Sequence, residues 1–247
     1  MTKIDHIHYD NSEIPFEIRP SRRRKTIGIY IGLNGDVVVR SPRFLKEDKI
    51  REIVEKRAQW IVGKQEFVKN HVHPGLEKEF VSGESFPYLG RHYRLNIIRS
   101  PLKEGGECKL INGRFLIGVH GNLTGEGIKR AAKKTFIEWY LEHAKEKIPE
   151  RVALYSRRTG AWPRRIEIKN HRRRWGSCSR SGVIRFNWKI ITAPVSLVDY
   201  VIVHELCHLI RQDHSAQFWQ ILESIIPDYR TRRKQLREYS FQMSVFD

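Results

Sequence analysis

The segment 201–219, VIVHELCHLIRQDHSAQFW, constrains this chain more than any other. Val201, Val203, Leu206, Cys207, Leu209 and Ile210 make its first half apolar, and His204, Glu205 and His208 stand among them in H-E-x-x-H order. Apolar residues that dense predict a largely buried helix. Residues four apart share a helix face, so His204 and His208 can aim two imidazole nitrogens at one ion. Glu205 then sits beside the ion without ligating it. A carboxylate in so apolar a run is costly to bury unless a partner such as a metal-bound water satisfies it.

The third histidine, His214, decides where the helix must stop. It lies ten residues beyond His204, nearly three turns or roughly 15 Å along a continuous helix, too far to share an ion. The spacing therefore predicts that the helix ends at about Arg211 to Asp213. A turn through Gln212 and Asp213 follows, then a new helix from Ala216 with Ser215 or Asp213 as its cap. Three neutral ligands leave a fourth position for a water that the cation acidifies and Glu205 deprotonates, the arrangement of metal-assisted hydrolysis. Glu223 is the alternative third ligand if His214 is structural. Cys207 faces away from both histidines and reads as a small core residue.

Taken in order, the chain opens with short strands. Asn34-Gly35 and Asn112-Gly113 each join two β-rich runs, as hairpin turns do. Between them one long helix is predicted from about Leu45 to Asn70, with Ile50, Ile53, Val54, Ala58 and Ile61 on its buried face and Trp60 packed near it. A second long helix is predicted from a Thr124 cap to about Arg158, ended by Gly160 and Pro163. The compact stretch RRIEIKN, HRRRWGSCSRSG and VIRFNWKII then supplies strands and a turn ahead of the H-E-x-x-H helix. The fold class expected is α+β, divided near Gly121 into a β-rich region, 1–121, and a metallohydrolase domain, 122–247.

Charge and cysteine content bound the partners. The 46 Lys+Arg against 28 Asp+Glu give a formal charge of +18, which favours anionic partners such as nucleic acid or nucleotides. Cys108, Cys178 and Cys207 are odd in number and far apart, so they predict no disulfide framework and a cytoplasmic location. No apolar run approaches the ~20 residues of a membrane span, and the polar N-terminus lacks a signal-peptide core. No membrane partner is expected.

The segment from Arg172 to Trp219 resembles the YgjP-like metallopeptidase family, zincins related to the SprT/WLM-type proteases. His204, Glu205, His208, His214 and Phe218 match the HExxHxxxxxHxxxF pattern, and Trp175-Gly176-Ser177-Cys178 matches the W-G-S-C segment. RRRKTIGIYI and the helix ending in AQWI are similar to the family's N-terminal part. Arg211 stands where metzincins carry a glycine, and no internal methionine is placed for a Met-turn. The resemblance implies a zincin-like core with the active-site helix on a small sheet, Zn2+ on three histidines, and Glu205 as general base.

Two chemistries fit these residues. In a zinc metallopeptidase acting on protein or peptide, a strand along the cleft pairs with the substrate. That strand is expected to be Val183 to Trp188 or the WGSC segment, so Trp175, Gly176 and Ser177 are expected to line the cleft. Arg173, Arg174 and Asn187 are the candidate oxyanion stabilisers, and the basic surface points to substrates associated with nucleic acid. In a nucleotide or phosphoanhydride hydrolase, Arg172, Arg173 and Arg174 would instead bind phosphate.

Overall fold

The computed structural model describes residues 3–10, 12–32, 34–71, 78–100, 106–171, 174–240 and 246. The fold is α+β, and the chain separates into two compact units, Met1–Glu77 and Lys78–Asp247.

In the first unit, β1 (Lys3–Tyr9), β2 (Ser12–Ser21), β3 (Gly28–Ile31) and β4 (Val37–Pro42) form a sheet in the order β1-β2-β4-β3. Strand alternation sends Ile7, Ile14, Phe16, Ile18, Val37 and Val39 to one face, where they meet Ile50, Val54, Ala58 and Ile61. Those four lie on two helices, α1 (Glu47–Glu55) and α2 (Ala58–His71), rather than on one. The predicted single helix breaks because Lys56 and Arg57 form a turn, with the Arg57 N–H bonded to the Val54 carbonyl at 2.9 Å. The break leaves Trp60 44% exposed, so it does not pack as expected.

The second unit begins with β5 (Ser85–Tyr88), β6 (Arg91–Ser100), β7 (Cys108–Ile111) and β8 (Arg114–His120), in the order β5-β6-β8-β7. Asn112 and Gly113 both take positive φ, as the β7–β8 turn requires. The 35-residue α3 (Gly125–Thr159) starts after Thr124 and stops at Gly160, whose φ of 71° no β-carbon would favour. Phe136 on α3 packs edge-on against Phe86 and Phe115, with ring centroids 4.5 and 4.7 Å away. Through this shared aromatic core the sheet before Gly121 buries its apolar face on the helix after it, within the compact unit Lys78–Asp247.

The remaining elements build the site. β9 (Arg165–Lys169), β10 (Gly176–Cys178) and β11 (Val183–Asn187) form a sheet in the order β10-β11-β9, and a 3-10 turn (Trp188–Thr192) leads into α4 (Val195–Ile210). Then come α5 (Ala216–Ile225) and α6 (Tyr229–Tyr239). Helix α4 is buried on most sides and packs on β10. One polar clamp ties it to α3. Arg151 donates from Nε and a terminal nitrogen to the two oxygens of Asp199, at 2.7 and 2.5 Å, and the Tyr155 hydroxyl adds a bond at 3.0 Å.

Candidate metal centre

Helix α4 ends at Ile210, and Arg211 turns to extended backbone with φ −134° and ψ 115°. The departing chain is pinned at several points. The Arg211 N–H still donates to the Cys207 carbonyl at 2.8 Å, the Gln212 side chain to the His208 carbonyl at 2.7 Å, and the Ser215 N–H to Asp213 at 3.2 Å. Trp219, in the first turn of α5, donates from its indole N–H to the His214 carbonyl at 3.1 Å. His214 thereby swings back to the face that His204 and His208 share. One ligating nitrogen from each of the three lies within 4.8 Å of the others. Phe218 floors the cluster, its ring 4.7 to 5.0 Å from all three imidazoles.

The histidine environments suit ligation. His208 Nδ1 faces the Arg211 carbonyl at 3.1 Å, which fixes that nitrogen as the donor and leaves Nε2 with a lone pair. Burial, reinforced by the other two imidazoles and Arg233, lowers the His204 pKa to about 3, so the ring is neutral at pH 7. Nε2 of His204 and of His214 stand 3.2 Å apart. A tetrahedral ion with bonds of about 2.0–2.1 Å holds its nitrogens roughly 3.3 Å apart, so the spacing fits. Glu223 is exposed on α5 and is no part of the cluster; Cys207 is fully buried in α4.

Glu205 lies 5% exposed, with Oε2 buried and without a hydrogen-bond partner among the described residues. Burial pushes its pKa up to about 8, with Arg174 acting in the opposite direction. Gly176 on β10 packs directly on this carboxylate, where any β-carbon would collide with it. A buried carboxyl oxygen with no partner among the described residues, on the residue next to one of three converging imidazoles, is an arrangement that metal-assisted hydrolysis can use.

The model of the YgjP-like metallopeptidase domain matches residues 25–239. The chain belongs to the YgjP-like metallopeptidase family. No curated protein and no solved structure matches it. The family describes a metal-dependent peptidase, and the His204, His208 and His214 cluster lies within the matched region. Among the described residues, no helix is long and apolar enough to cross a membrane.

In this YgjP-like chain the W-G-S-C residues have distinct places. Trp175 is buried, donates from its indole to Ser240 Oγ at 3.1 Å and lies 6.2 Å from the Tyr239 ring, so it anchors the end of α6. Ser177 alternates with Gly176 and takes the opposite face of β10. Burial and the neighbouring Glu205 raise the Cys178 thiol to about 11, which leaves it protonated. Asn187 is fully buried. Its amide donates to the carbonyls of His171 and Arg174 at 2.7 and 3.3 Å, bracketing the loop before β10. Arg174 is exposed and acts on Glu205 electrostatically. Arg172 and Arg173 lie outside the described residues.

The sheet settles which strand has a free edge. β11 is paired on both sides, antiparallel to β10 and parallel to β9, so it has no edge to offer a peptide; among the described residues β10 and β9 are the two edge strands, and β10 is the one packed on α4. The Asn187 N–H bonds the Trp175 carbonyl at 2.7 Å and the Ser179 N–H bonds the Val183 carbonyl at 2.9 Å. Antiparallel ladders alternate, so Ser177 also turns its backbone towards β11, and Gly176 and Cys178 turn theirs outward.

The rim on the α6 side escaped the sequence reading. Trp219 stacks between His214 and Tyr229, at 5.6 and 5.4 Å, and the Arg233 guanidinium lies over its ring at 4.9 Å. The one signal was the i,i+4 spacing of Tyr229 and Arg233, which puts both on one helix face.

Proposed function

We propose that the protein is a zinc metallopeptidase in which His204, His208 and His214 hold the metal and Glu205 is the general base. The carrying observation is the buried Glu205 carboxylate, packed against Gly176 of β10 beside the three-imidazole cluster, whose Oε2 has no hydrogen-bond partner among the described residues. Three imidazole nitrogen donors suit Zn2+, which when bound would acidify a water and polarise the scissile carbonyl. Glu205 accepts the proton of the attacking water and returns it to the leaving amine, so its apolar pocket keeps the base from being solvated and misdirected. The outward N–H and C=O groups of Gly176 and Cys178 bind the substrate backbone as an added strand, which selects extended, unfolded segments over folded ones. Trp175 and Asn187 serve this site indirectly, by positioning β10.

Three free thiols suit a reducing cytoplasm. The +18 charge places proteins bound to nucleic acid among the substrates to test. One observation favours a second reading, phosphoanhydride hydrolysis of nucleotides. Arg174 and Arg233 act on Glu205 and His204 respectively, and neither has a carboxylate partner among the described residues. Two such guanidinium groups at a metal site also suit a phosphate. Hydrolysis of unfolded proteins, with and without DNA, measured beside a panel of nucleotides separates the two. Peptide cleavage that requires Glu205 supports the first reading; nucleotide cleavage alone, lost in Arg174→Ala, supports the second.

A further inference from the structure

The first unit carries a second set of metal-binding side chains, far in sequence from the H-E-x-x-H helix. His6 and His8 lie two apart on β1, so both leave the same face, while Asp5 and Ile7 between and beside them turn inward. The β1–β2 register puts Glu13 directly opposite His8 and diagonal to His6. All three side chains point to solvent, and each offers one ligand atom within 4.8 Å of the others. His6 Nε2 stands 3.5 Å from Glu13 Oε1, and the two imidazole rings meet edge to face at 5.7 Å. A single surface contact accounts for one imidazole beside Glu13 but not for the second closing the triangle.

From this juxtaposition of two imidazoles and a carboxylate on one hairpin face, we propose that His6, His8 and Glu13 form a second binding site, for a divalent first-row transition cation such as Zn2+. Nitrogen donors exclude a dedicated calcium or magnesium site, whose ligands are oxygens. The ligands come from both strands, so the ion clips the β1–β2 hairpin closed. Its exposure makes it the weaker site, open to exchange with solvent, unlike the His204 cluster packed against Phe218 and Trp219.

Zn2+ titration of the metal-stripped full-length protein, followed by calorimetry, tests the site. The wild type is expected to take up two equivalents, one tight and one weak. His6→Ala/His8→Ala loses the weak equivalent and keeps the tight one; Glu13→Gln weakens it; His204→Ala loses the tight one and keeps the weak one. These side chains are exposed, so the fold survives their removal. If His6→Ala/His8→Ala binds the weak equivalent as the wild type does, or if His204→Ala binds no Zn2+ at all, the second site is overturned. The tight equivalent reports separately on the His204 cluster.

Discussion

A β-carbon added to Gly176 would lie 2.6 Å from Oε1 of Glu205 and 2.8 Å from its Cγ, closer than side chains approach one another. The glycine of the W-G-S-C segment is there for space and not for backbone freedom, since its φ lies outside the positive range. It lets β10 and α4 close on the Glu205 carboxyl, the proposed general base. Gly176→Ala must push the carboxylate aside, and Glu205 lies against the strand with little room to move. We expect kcat to fall by about 10²-fold or more, the scale of a displaced general base, with metal content unchanged. Single-turnover kinetics beside metal analysis checks this; an alanine variant of full activity would contradict it.

Phe218 touches all three histidines and is fully buried, so it both supports the fold and orients the imidazoles. Phe218→Ala should cost about 3–5 kcal/mol of stability through the cavity it leaves. It should also weaken Zn2+ binding by about 10–100-fold, as loss of an outer support does. Phe218→Leu, which refills much of the volume, should recover most of the stability and less of the affinity. Denaturation and competitive chelation measure the two effects separately.

Asp199 receives both Arg151 bonds and the Tyr155 hydroxyl, and it is a polar link between α3 and α4, the helix of His204 and His208. Asp199→Ala leaves those donors facing an apolar gap, and a loss of about 2 kcal/mol is expected. The denaturation midpoint should drop while the affinity for Zn2+ changes little, because the clamp sits more than a helical turn before His204.

Acid should weaken the first unit through Asp5. Burial pushes this carboxyl up, but the Arg51 hydrogen bond, the His6 N–H and the Arg51 charge outweigh it and hold the pKa below the usual carboxylate range. A pKa lowered in the folded state stabilises the fold above the unfolded value of about 3.9, and that contribution is lost as pH falls through the folded value. Asp5→Asn should therefore be less stable than the wild type at pH 6, and the difference should shrink below about pH 4. Urea denaturation at both pH values checks the sign.

Local patterns were legible in the sequence wherever a short-range rule applied. The two Asn-Gly turns, the Gly160 stop of α3 and the end of α4 before His214 each follow from backbone chemistry or axial rise. The break between α1 and α2 was not legible, because Lys56 and Arg57 are good helix formers and only the packing of Val54 and Ala58 on the first sheet bends the chain there. The packing of Phe86 and Phe115 on Phe136 was not legible for a related reason: the contact is long-range and leaves no periodic trace. At the site, the histidines and Glu205 announce themselves by spacing. Gly176 as clearance for Glu205, and β10 rather than β11 as the free edge, depend on strand order, which no local motif encodes.

The most direct test of the site is Glu205→Gln, which keeps the side chain's size and removes its basicity. Zn2+ content and hydrolysis of an unfolded protein should be measured on the same preparations of wild type and variant. The expected result is one tightly held equivalent of Zn2+ in both and hydrolysis only in the wild type, down by about 10²–10⁴-fold in the variant. A Glu205→Gln protein that holds its Zn2+ and cleaves at the wild-type rate would contradict the assignment of Glu205 as general base.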